Sequence, residues 1–350
     1  MAARAFRWRR PYTVILSAVG LLMLCDLFGV FRHMFELDYD THFTYPLDSE
    51  VNFYVNLMLS GQQSPVTPLE SHQFRYLIDP RERCSGQRPL RLLIAIKSAP
   101  DHVERRRVIR QTWAELRTDV RHVFLLGTRA GNYELQRTVR REVEEYNDIV
   151  QAYFQDSYYN NTLKTMSGFR WAIERCADAE HTLFVDDDMY VSVPNVLRLA
   201  AQRAEYPAPE GSTAAAAAVP QPDSPLLVGY VFPASSPHRH RFSKWFVPLQ
   251  EYPFSRWPPY CTAGAYVVSR SALRRLLYTS YYTKMFRFDD IYLGLVAQKA
   301  GVKPLHTDYI HFWEQTYSPD EFRHVVAAHG FHDPSRLLAV WSEQHKLGNA

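Results

Sequence analysis

Residues 181–191, HTLFVDDDMYV, decide the fold. The apolar run that ends at Val185 is typical of a buried strand, and three aspartates, 186–188, follow it directly. In α/β sheets, ligands bind at the carboxyl ends of the strands. Three adjacent carboxylates repel one another there unless a positive group is present, and their oxygens suit a hard divalent cation. The alternative interpretation is a solvated turn or a helix cap.

Outward from this strand, short apolar runs alternate with helical patterns. Strands are predicted at 91–97, 122–126, 148–154 and 181–185, and helices at 104–113, 133–146 and 165–176. This alternation predicts an α/β domain with a mainly parallel sheet flanked by helices.

The N-terminus has the pattern of a membrane anchor. Residues 1–10 contain four arginines and no acid, and residues 11–31 are mostly apolar, with Asp26 as their one charged residue. About 20 apolar residues can span a bilayer, and the preceding arginines predict that residues 1–10 stay in the cytosol. A cleaved signal peptide is the alternative, but no A-x-A-like site follows. The sequence therefore predicts a transmembrane signal-anchor at 11–31.

Three further segments complete the predicted organisation. Residues 32–88 are rich in turn formers and are interpreted as a lumenal stem. Residues 89–350 form the predicted main domain, and 206–225, rich in Pro, Ala and Ser, is interpreted as a mobile insertion within it.

Composition excludes some classes of protein. The chain has 40 basic and 37 acidic residues, and four of the basic ones lie in the first ten positions. The rest is therefore nearly neutral, which argues against a nucleic-acid surface. Of the four cysteines, three follow the predicted anchor (Cys84, Cys176 and Cys261), so at most one internal disulfide is expected.

Other residues add chemistry to the acidic triplet. A second acidic pair, Asp289-Asp290, lies in FRFDDIYLG, and residues 257–264, WPPYCTAG, have the aromatic and small residues of a sugar pocket. Cations suited to phosphate occur at Lys97, Arg106, Arg110 and Lys164. Carboxylates for a metal, cations for phosphates and one carboxylate free to act as a base are what a nucleotide-sugar transferase requires.

Together these motifs resemble the β1,3-glycosyltransferase family of Golgi type II enzymes, over about residues 91–341. The matching segments are RRVIRQTW at 106–113, FLLG at 124–127, DSY at 156–158, NTLKT at 161–165, DDD at 186–188, WPPYCTAG at 257–264 and DDIYLG at 289–294. Within the family, the likeness is greatest to an insect β1,3-N-acetylglucosaminyltransferase and extends into FELDYDTHFTYPL at 35–47.

The resemblance implies a GT-A fold with bound Mn²⁺. It implies that Asp188 and Asp186 bind the metal together with a C-terminal histidine, for which His329 matches best. The other candidates for this histidine are His332, His311 and His306. It also implies that Asp290 is the catalytic base.

The remaining site residues are implied in the same way. Donor-binding residues would be Lys97, Arg106, Arg110, Asp156, Lys164 and Asp187. Acceptor-binding residues would be Trp257, Tyr260, Gly264 and Asp289. The alternatives are a solvated helix face for the three arginines at 105–107, Arg105 among them, a plain salt bridge for Lys164 and a core position for Trp257. The sequon at Asn160 allows glycosylation, although Asn160 also lies in a family motif.

The activity implied is inverting transfer of N-acetylglucosamine from UDP-GlcNAc, in β1,3 linkage, to a glycan or glycolipid acceptor such as the β-mannose of a glycosphingolipid. A β1,3-galactosyltransferase using UDP-Gal shares every motif, and an inactive lumenal lectin is a third possibility. The implied location is the Golgi membrane, as a single-pass type II protein with a lumenal catalytic domain.

Overall fold

The computed structural model describes residues 5–44, 51–86, 90–114, 117–207 and 225–350. These residues form two compact units. The first contains the described residues of Met1–Tyr45 together with Ala234–Pro258, and the second those of Pro46–Pro233 and Pro259–Ala350. Most of the predicted insertion at 206–225 lies outside the described residues.

The first unit has three helices among its described residues: α1 (Ala5–Leu27), α2 (Val30–His33) and α3 (Tyr39–His42). Phe28 and Gly29 separate α1 from α2, and the φ of Gly29, 78°, lies in the left-handed region that glycine tolerates. Helix α1 therefore ends four residues before the predicted span does. Across the described ranges, no helix combines the length and apolarity needed to cross a membrane. The structure thus does not support the transmembrane segment predicted at 11–31.

The second unit carries the sheets and eight helices among the described residues. Its helices are α4 (Val51–Leu59), α5 (Val103–Arg110), α6 (Tyr133–Tyr146), α7 (Asn161–Arg175), α8 (Val193–Gln202), α9 (Arg270–Ser280), α10 (Asp289–Ala300) and α11 (Pro334–Lys346). Its strands are β1 (Tyr76–Ile78), β2 (Leu92–Lys97), β3 (Val120–Thr128), β4 (Ile149–Gln155), β5 (His181–Asp186), β6 (Met189–Val191), β7 (Leu227–Phe232), β8 (Tyr260–Ser269), β9 (Leu305–His306), β10 (Ile310–His311) and β11 (Ala327–His329).

The main sheet has eight strands in the order β1-β4-β3-β2-β5-β8-β7-β9. Strands β4, β3, β2 and β5 run parallel, as the alternation of strands and helices predicts. Every residue of β2 is buried, because helices cover both faces of a parallel sheet. The sheet as a whole is mixed, since β8 lies antiparallel to both β5 and β7 and β1 lies antiparallel to β4.

The strand register places the functional motifs at one edge. Strands β2 and β5 end together, with Lys97 opposite Asp186. A separate three-stranded sheet, in the order β10-β11-β6, begins just after the acidic triplet, and in it His329 pairs with Met189. Residues that are 140 positions apart in the chain are thereby neighbours.

The segment predicted as a stem, 32–88, differs from what the structure shows. In its second half, Val51 and Val55 of α4 are buried in a cluster with Tyr282, and β1 joins the main sheet beside β4. Cys84 is disulfide-bonded to Cys176 at the end of α7, with a Cα–Cα distance of 5.2 Å. These contacts make residues 51–86 part of the second unit. Cys261 is buried and free, so the limit of one internal disulfide holds among the described residues.

Candidate functional site

Lys97 joins the two acidic motifs. Its ammonium group forms ion pairs of 3.0 Å with Asp186 Oδ1 and with Asp289 Oδ2, and it donates a hydrogen bond of 2.8 Å to the carbonyl of Ala263. A lysine ammonium has three N–H donors, and these three acceptors use them all. Lys97 was predicted to bind the donor phosphate. The structure instead makes it a bridge between the end of β5 and the start of α10.

Asp289 is held from two sides. Its Oδ2 accepts from Lys97 and also from the hydroxyl of Thr165 on α7, at 2.9 Å. Burial works against its charge, but the nearby Lys97 ammonium and these hydrogen bonds lower its pKa. Asp289 was predicted to bind the acceptor, whereas in the structure its Oδ2 is used for internal contacts with Lys97 and Thr165.

Asp290 has a different environment from its neighbour. Its Oδ1 accepts from the backbone N–H of Ile291 at 2.8 Å, in the first turn of α10. Burial, and after it the charge of Asp289, raises the pKa of Asp290 to about 7. A carboxylate with a pKa near neutrality is well suited to accept a proton as a general base.

Asp188 forms the centre of a candidate metal site. Its Oδ2 lies 3.1 Å from His332 Nδ1 and 3.8 Å from His329 Nε2, and one ligand atom from each residue fits within 4.8 Å. Its Oδ1 is buried and has no hydrogen-bond partner among the described residues. Carboxylate and imidazole ligands around an unsatisfied oxygen fit a divalent cation.

The predicted metal ligands are therefore partly brought together. Asp188 and His329 meet, whereas Asp186 is bound to Lys97 instead. His332, one of the alternatives to His329, joins the group rather than replacing it. The other two alternatives lie elsewhere: His306 contacts Asp308 at 3.0 Å, and His311 is not in the group.

Arg106 and Arg110, predicted to bind the donor, belong to an ion-pair network between α5 and α6. Arg106 is fully buried and binds both oxygens of Glu142, at 3.0 and 2.7 Å. Arg110 binds both oxygens of Asp148, at 2.8 and 2.9 Å, and also Glu142 at 3.0 Å. His122 completes the group with a 3.0 Å contact to Asp148. We call these five residues the α5 cluster.

Both carboxylates of the α5 cluster already have partners within the cluster. Burial works against the charge of Asp148, yet hydrogen bonds from His122 and Arg110 lower its pKa to about 2. The guanidinium of Arg110 also lies 4.1 Å from the ring centroid of Tyr146. The geometry assigns both arginines a structural role, which corrects the prediction that they bind phosphate.

Asp187 turns away from the other two aspartates. Its carboxylate contacts His102 Nδ1 at 2.7 Å and accepts from Arg105 at 2.8 Å. This interaction ties the acidic triplet to the start of α5. Sequence reasoning considered Arg105 only as one of three neighbouring arginines and missed His102, because their common partner lies more than 80 residues away.

Asp156 and Lys164, also predicted to bind the donor, pair with each other at 3.0 Å and are buried. Lys164 donates further to the carbonyl of Ser98, and Asp156 accepts from the backbone N–H of Gly127 at 2.7 Å. A Cβ at Gly127 would lie 2.7 Å from the Phe154 ring, so this close approach requires glycine. The salt-bridge alternative for Lys164 describes its position in the structure.

Two of the predicted acceptor-binding residues, Tyr260 and Gly264, lie on β8. A Cβ placed at Gly264 would lie 3.6 Å from the sulfur of Met189. Tyr260 is buried and packs closely against Gly294 of the DDIYLG motif, where a Cβ would lie 2.5 Å from that of Tyr260. This contact gives the glycine of the motif a packing role.

Trp257 lies in the first unit, where it is 4% exposed and packs on Tyr252 with ring centroids 3.9 Å apart. A side chain this buried is a core residue and offers no face to a sugar, which corrects its predicted role. Asn160 immediately precedes α7 and donates from its side chain to the carbonyl of Gln155 at 2.8 Å. Its glycosylation stays a prediction.

Comparison with known proteins places this site in a family context. Residues 104–308 match the Galactosyltransferase family. The chain is 42% identical, over 94% of its length and 94% of the relative's, to the Drosophila melanogaster protein Beta-1,3-galactosyltransferase brn, known as Brainiac.

Two further relatives are more distant. A human Acetylgalactosaminyl-O-glycosyl-glycoprotein beta-1,3-N-acetylglucosaminyltransferase is 33% identical, over 78% of this chain and 71% of its own length. The Mus musculus Beta-1,3-galactosyltransferase 1 is 29% identical, over 79% of this chain and 80% of its own. The names of these relatives divide between two sugars.

Proposed function

The chain belongs to the galactosyltransferase family, whose relatives named here are β1,3-glycosyltransferases, and on that premise we propose that it transfers a sugar from a UDP-sugar with inversion. One observation carries the proposal. Asp290, a carboxylate with a pKa of about 7, directly follows Asp289 in the chain. Lys97 forms ion pairs with both Asp289 and Asp186. Asp186 belongs to the same acidic triplet as Asp188, the centre of the candidate metal site. The arrangement suits a GT-A enzyme with a donor site and an acceptor site at one sheet edge.

Asp290 supplies the base in this proposal. Its carboxylate takes the proton from the acceptor hydroxyl at O3 while that oxygen bonds to the anomeric carbon of the donor. The bond from this carbon to the UDP oxygen breaks, and UDP leaves with the electron pair. Asp289 and Lys97 orient the helix that carries the base, since they fix its first residue.

The leaving group needs positive charge. Asp188, His329 and His332 would hold a divalent cation, proposed to be Mn²⁺, that stabilises the negative charge developing on the diphosphate. The three side chains are brought together by the pairing of β11 with β6, so the ligand set exists before metal binds. The ion pairs of Lys97 with Asp186 and Asp289 fix the position of the acidic triplet relative to Asp290.

For the donor, we propose UDP-GlcNAc, following the motif likeness and the name of the human relative. UDP-Gal is the second candidate, supported by the name of the Drosophila relative at 42% identity. The proposed acceptor is a glycan or glycolipid that ends in β-mannose.

The test is a transfer assay with the purified full-length chain. UDP-GlcNAc and UDP-Gal would be offered with Mn²⁺ and with β-mannosyl or β-galactosyl acceptors, and the product linkage determined. We expect β1,3 transfer from UDP-GlcNAc and a rate that falls below pH 7, because Asp290 must be deprotonated. Transfer only from UDP-Gal would replace the donor assignment. Acceptor binding without transfer from any donor would favour a lectin.

We also propose that the protein works in the Golgi lumen. The support is the Cys84–Cys176 disulfide, since such bonds persist in oxidising compartments. Protease protection in intact Golgi vesicles tests this location, and digestion without detergent would contradict it.

A further inference from the structure

An open cavity of about 500 Å³ lies in the second unit, between β7, the segment after β10 and the 3₁₀ turn at Glu321–His324. Trp313 lines it and is 61% exposed. The ring of Trp313 packs edge-on against Phe312 at 4.5 Å, and Phe312 stacks on Tyr230 at 5.9 Å. These ring contacts hold Trp313, Phe312 and Tyr230 together as an aromatic part of the cavity wall.

The carboxylates Asp308 and Glu321 give the lining of this cavity its acidic character. Asp308, Glu321 and Gln315 line it, and no lysine or arginine does among the described residues. A wall with two acids and no cation disfavours phosphates and other anions. Acid and amide oxygens accept hydrogen bonds from hydroxyl groups, and an aromatic ring packs against the apolar face of a neutral sugar. In the same wall, His311 Nδ1 is buried without a hydrogen-bond partner among the described residues.

The cavity lies close to the candidate metal site. In the small sheet, β10 runs parallel to β11 with His311 opposite Ala328, so Phe312 follows beside His329. Neighbouring strands are about 4.8 Å apart. Trp313, two residues after His311, therefore follows the strand that pairs with the strand of His329. The volume of the cavity is within the range of pockets that hold small ligands.

We propose that this cavity is an acceptor subsite that binds a neutral sugar unit preceding the one that is glycosylated, with Trp313 as its platform. The proposal rests on the proposed glycosyl transfer, because it names the part of the acceptor that the enzyme recognises outside the reacting residue. It predicts that the enzyme distinguishes acceptors by length as well as by their terminal sugar. Glu321 and Asp308 would accept hydrogen bonds from hydroxyl groups of the bound unit.

Acceptor series test the subsite. The full-length chain would be assayed with the methyl glycoside of the accepted terminal sugar, with a disaccharide methyl glycoside ending in that sugar, and with an octyl glycoside of the terminal sugar alone. We expect the disaccharide to have a KM about tenfold below that of the monosaccharide. Trp313→Ala should remove this advantage while leaving the KM for the monosaccharide and for the donor unchanged.

Other variants separate binding from folding. Trp313→Phe should keep part of the advantage, and Glu321→Gln should reduce it without removing an aromatic ring. Trp245→Ala, which alters an exposed tryptophan of the first unit, is the matched control and should keep the advantage fully. An advantage that persists in both Trp313→Ala and Glu321→Gln would overturn the proposal. The proposal would also be overturned if Trp313→Ala raised the KM of the octyl glycoside and of no other acceptor, since the cavity would then bind a lipid chain.

Failure of the proposed function has a different signature. If the wild-type chain transferred no sugar, saturation-transfer NMR with the disaccharide would still report binding. Contact with the disaccharide that is lost in Trp313→Ala would support a sugar site at this cavity. Absence of contact in the wild type would overturn it.

Discussion

Two charged regions of the second unit have opposite electrostatic designs. In the α5 cluster, two arginines and a histidine surround two carboxylates, and the pKa of Asp148 falls to about 2. At the sheet edge, one lysine faces Asp186 and Asp289, while the pKa of Asp290 rises to about 7. We call the second region the edge cluster.

The difference separates structural from chemical roles. Carboxylates that pair with arginine and accept further hydrogen bonds are stabilised as anions, so they neither take up a proton near neutral pH nor bind a metal cation. Carboxylates that outnumber their cations retain basicity and attract metal, and perturbed pKa values of this kind concentrate at functional sites. The α5 cluster should thus control stability, and the edge cluster activity.

Removing the base should give the largest effect. Asp290→Asn keeps the shape of the side chain but cannot accept a proton, so kcat should fall about 10²- to 10⁴-fold. Thermal unfolding followed by circular dichroism should show an unchanged midpoint, and initial rates report the loss. Full activity in this variant would remove Asp290 from the mechanism.

Breaking the α5 cluster should act on stability instead. Arg106→Met leaves Glu142 buried with one cation fewer, which should lower the free energy of unfolding by about 3–5 kcal/mol. Arg107→Met is the matched control, because the neighbouring Arg107 pairs with Glu104 on the surface and should cost about 1 kcal/mol or less. Urea unfolding measures both. Equal losses in the two variants would contradict the distinction between buried and surface pairs.

The α5 cluster should also respond to acid. Folding lowers the pKa of Asp148 from 3.8 to about 2, so its carboxylate stabilises the folded state above pH 3.8. This contribution, about 2 kcal/mol, should be lost as the pH falls towards 2. Urea unfolding of wild type and Asp148→Asn across this range should show a difference that shrinks with acid. A constant difference would mean that the charge of Asp148 does not stabilise the fold.

The smallest expected effect concerns the candidate metal site, which shares the acidic triplet with the edge cluster. If His332 shares the metal with Asp188 and His329, His332→Ala should weaken Mn²⁺ binding about tenfold. The Mn²⁺ concentration dependence of the rate and calorimetric titration measure this change. His306→Ala, outside the three-residue group, is the control and should leave the affinity unchanged. Equal Mn²⁺ affinity in His332→Ala and wild type would reduce the ligand set to two residues.

Much of the fold was predictable because its signals are local. The helix predicted at 133–146 is observed as Tyr133–Tyr146, and the strand predicted at 181–185 as His181–Asp186. Apolar period and turn residues report such elements directly. The segment 51–86 was misjudged as a stem because its partners, among them Tyr282 and Cys176, lie far along the chain.

The candidate site divides in the same way. The positions of carboxylates after β5 and at the start of α10 were predictable, because those residues are adjacent to strong local signals. Which charges meet depends on tertiary packing. Arg106 and Lys97 both look like phosphate ligands in sequence, yet one is neutralised by Glu142 and the other by Asp186 and Asp289. A residue's charge is local, but its function depends on the partners that folding places within a few ångströms.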